Sequence, residues 1–177
     1  MSLQKLDLVA PGMTARNWNE AEVLGAGAWL CTYSPVHRDL SLQTISSQML
    51  PAIAHRQFVL GSRAGEPLFY MSWAKFTANA EERYLHGGAA TMAARDWDSG
   101  QRLWIIDWVA PFGHTATLAR IVRHQLFRHW TGRMVCHRAQ PPSSRIKTFR
   151  GSAMTPADAR QWHQSNPVGL PRHPQSR

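Results

Sequence analysis

Among the nine histidines and eleven carboxylates of this chain, His37 and Asp107 form one pair whose types could carry acid–base chemistry together. Asp107 stands in RLWIIDWVAPFG, Arg102 to Gly113, where Trp104, Ile105, Ile106, Trp108 and Val109 predict a strand buried on both faces. An ionised carboxylate in such a setting is costly unless something meets it. A histidine meets that need, because the carboxylate holds the ring's tautomer and orientation and favours the imidazolium, which makes the histidine a better base. His37 lies in SPVHRDL, which Pro35 restricts to a loop from which a side chain can reach a cleft. Spacing alone leaves other roles open. Asp107 can be a structural carboxylate bonded to backbone amides, and His37 an ordinary surface or capping histidine. Ser34 can cap the loop or, in contact with His37, act as a nucleophile; the absence of a G-x-S-x-G context favours capping.

The elements that must position these residues follow from periodicity. Residues 18–33 predict a helix, with Asn17 or Asn19 as a cap, and 42–50 a second helix stopped by Pro51. Phe58–Leu60 and Leu68–Phe76, separated by Gly61, Gly65 and Pro67, read as a hairpin. Glu82–Leu85 is a weaker piece, and the stretch from HGGAA to WDSG reads as loop. After the strand 102–110, residues 115–130 predict an amphipathic helix capped by Thr115, with Arg120, Arg123 and Arg128 on its polar face. Strands at 133–137 and 145–149 complete an α/β (α+β) sheet flanked by helices, in a single domain over 18–151. Residues 1–17 read as an N-terminal extension, and 152–177 as a largely mobile tail.

Composition excludes several classes. No apolar run reaches the roughly 20 residues of a membrane span, and MSLQKLDLVAPG has neither a basic start nor an apolar core, so a cytoplasmic protein is expected. Cys31 and Cys136 are too few for a disulfide framework or a zinc site, and no metal is expected. Phosphate-loop, dinucleotide-binding and HExxH signatures are absent, and LGAGA, 24–28, sits in a helical pattern rather than after a strand. The formal charge is +9, and from His114 to Arg150 there is no Asp or Glu. Such a surface attracts an acidic partner: nucleic acid, anionic lipid or an acidic protein. A basic binding module is therefore the reading from a different functional class.

SPVHRDL, LPAIAHRQFVL, PLFYMSWA, RDWDSGQRLWIIDWVAPFG and KTFRG, in this order over residues 24–151, resemble the RTX toxin-activating lysine acyltransferases of the haemolysin and adenylate-cyclase-toxin activator type. The resemblance implies transfer of a fatty acyl group from acyl carrier protein, where it is a thioester of 4′-phosphopantetheine, to internal lysines of an RTX protoxin. It also implies a fold similar to the Gcn5-related N-acetyltransferases (GNAT-like), no bound cofactor, and a homodimer. The histidine of SP-x-HR and the aspartate of IDW-x-APFG fall on His37 and Asp107 as the catalytic pair. The alternatives are His37 as base with Asp107 as its support, Asp107 as the base, or an acyl-His37 intermediate. An acidic carrier suits Arg120, Arg123 and Arg128, with Arg133 and Arg138, as its dock. The chain lacks the Q/R-x-x-G-x-G/A loop that holds coenzyme A pyrophosphate in acetyltransferases of that fold. Trp73, Phe69 and Trp108 are candidates to line an acyl groove. Cys31, Gln48 and Cys136 depart from residues common in the family, and a family member with a non-toxin target is a further possibility.

Overall fold

The apolar runs on either side of Gly65 form the predicted hairpin, and the sheet is built outward from it. The computed structural model describes residues 6–136 and 145–169. Six strands, β1 Asp7–Val9, β2 Phe58–Arg63, β3 Glu66–Phe76, β4 Arg102–Val109, β5 Thr131–Cys136 and β6 Arg145–Arg150, lie in the order β1-β2-β3-β4-β5-β6. Every neighbouring pair is antiparallel except β4 and β5, which are parallel. A parallel pair needs a crossover, and α4, Thr115–Ile121, lies in the connection between these two strands. This mixed, mostly antiparallel α/β sheet fits the expected GNAT-like arrangement.

Side-chain alternation along β3 assigns helices to faces. Tyr70 points into a core with Val23, Leu30 and Cys31 of α1, Glu20–Thr32, and with Ile45, Met49 and Ile53 of α2, Leu42–Ala54. Phe69, Met71 and Trp73 point the other way, onto Leu118 and Ile121 of α4 and the following Val122 and Phe127. Phe76 and Trp104 pack with Ala80 and Tyr84 of α3, Ala78–Gly87. Gly27 permits the close approach of α1 to α2, since a Cβ there would sit 2.8 Å from the Met49 sulfur. Gly151, the glycine of KTFRG, is hemmed in by backbone: a Cβ would fall 2.0 Å from the Phe127 carbonyl oxygen.

Several local expectations are corrected. Pro51 does not stop α2, which continues through Ala54. Proline removes one helical donor, and the burial of Ala52 and Ile53 in the next turn outweighs that loss. The weak piece at 82–85 lies inside α3, capped by the Thr77 hydroxyl. The helix predicted over 115–130 is regular only to Ile121, with His114 rather than Thr115 at its cap position. Its next turn widens, the Phe127 N–H donating to the Val122 carbonyl at 2.8 Å, and this delivers the Phe127 ring against Trp73 at 5.1 Å between centroids. Two elements lie outside 18–151: β1, in the stretch read as an extension, pairs with β2, and α5, Pro156–Ser165, occupies part of the stretch read as mobile. Thr155 caps α5, and the carbonyls of Asn166 and Pro167 accept from Arg133 and Arg102, which fastens this segment to the sheet.

Candidate active site

Asp107 lies opposite Ser72 of β3, and the register then shifts so that Trp73 faces Ile105, leaving Ile106 as an extra residue on β4. Such a bulge changes the side-chain alternation by one position. Leu103 and Ile105 therefore face α4, whereas Asp107 and Val109 face α1 with Ser72 and Tyr70. The Ser72 hydroxyl donates to Asp107 Oδ2 at 2.6 Å. Both residues are buried. Burial pushes the Asp107 carboxyl up to about 6, and the Ser72 bond opposes that rise. Asp107 is thus mostly a carboxylate at neutral pH, held in an apolar setting.

Its field reaches neighbouring groups. Cys31, on the last turn of α1, has its thiol pushed up to about 12 by burial and then by the Asp107 charge, which makes it a poor nucleophile. Burial and then the same charge raise the Tyr70 phenol.

The end of α1 lies on the face of Asp107, since Cys31 packs in one core with Tyr70 and Val109. After Tyr33 the chain makes one further turn: the Ser34 carbonyl accepts from the N–H of His37 at 3.0 Å and of Arg38 at 2.9 Å. That turn brings Ser34 Oγ to 2.7 Å from His37 Nδ1. Ser34 is buried and His37 half-buried, so the ring stands between the core and solvent. The Ser34–His37 turn and Asp107 accordingly lie on the α1 side of the sheet. A carboxylate in a low-dielectric setting, a histidine steadied at Nδ1 and access to solvent suit general-base chemistry.

Beyond Ile105, β4 parts from β5. Their pairing runs from Leu103 with Gly132 to Ile105 with Met134, whereas β4 continues to Val109. Among the described residues, no strand pairs with β4 on that side past the bulge.

The other candidates are scattered. Trp73 is buried against Phe127 on the α4 face, with Phe69 and Trp108, so these three residues line the side of the sheet away from Asp107. The exposed apolar surface near the site is instead Trp29, Tyr33 and Phe112, whose rings contact one another at 4.8–5.8 Å. Arg120, Arg123 and Arg128 are exposed, as a dock requires. Arg133 is not available to a partner: it is 2% exposed and pairs with Glu81 at 2.9 Å, while Trp104 Nε1 and Arg102 also donate to that carboxylate. Arg138 lies outside the described residues. Sequence reasoning missed Ser72, whose signal is a single serine in the aromatic and apolar run PLFYMSWA. No helix among the described residues is long and apolar enough to cross a membrane.

A family model described as HlyC, RTX toxin acyltransferase family, matches residues 16–150, a span that holds every candidate site residue named above. The RTX-II toxin-activating lysine-acyltransferase ApxIIC of Actinobacillus pleuropneumoniae is 36% identical over 138 residues, 77% of this chain and 85% of that relative. The protein-lysine myristoyltransferase RtxC of Kingella kingae is 38% identical over 128 residues, 72% of this chain and 75% of its own. A protein-lysine myristoyltransferase HlyC of Escherichia coli is 40% identical over 111 residues, 60% and 65% of the two chains.

Proposed function

Because the chain belongs to the HlyC family of RTX toxin acyltransferases, we propose that it transfers a fatty acyl chain from acyl carrier protein to internal lysines of an RTX protoxin, acting in the cytoplasm as a homodimer. The observation that carries this reading is the placement of Asp107: a bulge turns its carboxylate toward the side of the sheet on which Ser34 and His37 meet. Names of the relatives support lysine acylation of RTX toxins. The carrier, compartment and homodimer rest on the resemblance.

A lysine amine with an ordinary pKa of ~10.4 is free in only about one molecule in a few thousand at neutral pH, so the reaction needs a base. His37 takes the proton, and the amine nitrogen attacks the thioester carbonyl carbon. A C–N bond forms, the C–S bond breaks, and the departing sulfur receives the proton His37 held, leaving an amide and a free carrier thiol. Ser34 Oγ, 2.7 Å from Nδ1, steadies the ring, and the tautomer that acts as base is the one with its proton on Nδ1 and its lone pair on Nε2. Asp107 stabilises the imidazolium through a medium of low dielectric.

The edge of β4 past Ile105, unpaired with β5 among the described residues, suits the amides of a pantetheine arm, which both donors carry. One feature favours a carrier-borne donor over coenzyme A. Exposed Arg120, Arg123 and Arg128 complement an acidic carrier. The test incubates the protein and an RTX protoxin with acyl-loaded carrier protein or with the same acyl group on coenzyme A, and reads lysine acylation by peptide mass spectrometry. Acylation of internal lysines from the carrier is expected. Equal transfer from coenzyme A overturns the carrier assignment, and no acylation from either donor overturns the function.

A further inference from the structure

Ser72 has no part in the reaction as written above, yet its side chain is fully buried in the middle of β3 beside Asp107. Its neighbours in the run, Met71, Trp73 and Ala74, are apolar and buried. A hydroxyl in that position costs free energy unless it is bonded, and its single proton goes to Asp107 Oδ2. At 2.6 Å this bond has the length of a hydroxyl donating to a charged carboxylate. Sheet register fixes both ends, because Ser72 and Asp107 are direct partners across β3 and β4 immediately past the Ile106 bulge.

We propose that Ser72 is a positioning residue for acyl transfer: by donating to Oδ2 it sets the orientation of the Asp107 carboxylate and keeps it charged while it supports His37. This rests on the role given to Asp107 above. A bond to the ionised form favours that form, whereas burial alone favours the protonated acid. Ser72 therefore extends the pH range over which Asp107 is charged, and the bulge and the hydroxyl act as one device.

The experiment compares pH–rate profiles of acyl transfer for the native protein, Ser72→Ala, Ser72→Cys and Ser72→Thr, with Asp107→Asn in parallel and circular dichroism to establish folding. Ser72→Ala is expected to move the acid limb upward by roughly one pH unit, which lowers the rate about 10-fold on the acid side and about 2-fold at neutral pH, with the deficit vanishing in alkali. Ser72→Cys, of similar volume and a weaker donor, shifts the limb the same way and serves if the alanine variant does not fold. Ser72→Thr keeps the donor and is expected to restore the native limb. Folded Ser72 variants whose profiles superimpose on the native one after scaling would overturn the inference and leave the role of Asp107 standing, provided Asp107→Asn is inactive. An Asp107→Asn protein with the native rate would overturn that role and the inference with it.

Discussion

Asp107 and Ser72 share a 2.6 Å hydrogen bond across β3 and β4, one position past the extra residue Ile106. Without that extra residue, strict alternation would give residue 107 the face of Leu103 and Ile105, packed on α4. The bulge sends it to the opposite face, where α1 ends and the Ser34–His37 turn begins.

Burial of this carboxylate has a stability cost whose sign is fixed. Asp107 titrates near 3.8 unperturbed and is pushed up to about 6 by burial in the fold. Between those values the folded state holds a proton that the unfolded chain has lost, so the group's contribution to stability is present below about pH 4 and is lost as pH rises through about 6. Asp107→Asn removes the titration and keeps an acceptor for Ser72. Denaturant unfolding near neutral pH should find it more stable than the native protein by roughly 1–3 kcal/mol, the gap narrowing in acid.

Removing the base should be felt in the rate alone. His37→Ala is expected to lower acyl transfer by roughly 10²–10⁴-fold with little change in unfolding midpoint, since the ring is half-buried. Ser34→Ala, which removes the 2.7 Å partner of Nδ1, should lose less, about 10-fold. Single-turnover acylation kinetics on protoxin measures both.

Thiol reactivity reports the burial of Cys31. With its thiol pushed up to about 12, Cys31 should resist iodoacetamide in the folded protein, while half-buried Cys136 is alkylated first. Denaturant should make the two equivalent. Peptide mass spectrometry of timed alkylations gives the order, and equal rates in the folded protein would contradict the burial of Cys31.

The arginines separate into two kinds. Glu81→Ala leaves Arg133 buried without its carboxylate and should destabilise the fold by about 3–5 kcal/mol, seen as a lowered denaturation midpoint. Reversing the charges of exposed Arg120, Arg123 and Arg128 together should leave unfolding nearly unchanged while raising KM for the acyl carrier in a salt-dependent way.

Most of the framework was legible because its signals are local. The hairpin at 58–76, the strand at 102–110 and the helices opening at residues 20 and 42 carry periodicity and turn chemistry that a single chain displays. The bulge at Ile106 was not legible, since an extra residue in one strand exists only relative to its partner's register. For the same reason Ser72 was invisible as the partner of Asp107, 35 residues away. Arg133 resembles any other basic residue of 114–150 until the fold brings Glu81 of α3 against it. His37 and Asp107 stood out through motifs, and the face each occupies depends on tertiary structure.

The most direct test of the account is the acylation of RTX protoxin by acyl-loaded carrier protein, followed as a mass increment on internal lysines, with the native protein, His37→Ala and Asp107→Asn at equal concentration. The account predicts acyl-lysine with the native protein and its loss, by at least about 10²-fold, in both variants while they remain folded. Native-level acylation by either folded variant would contradict it.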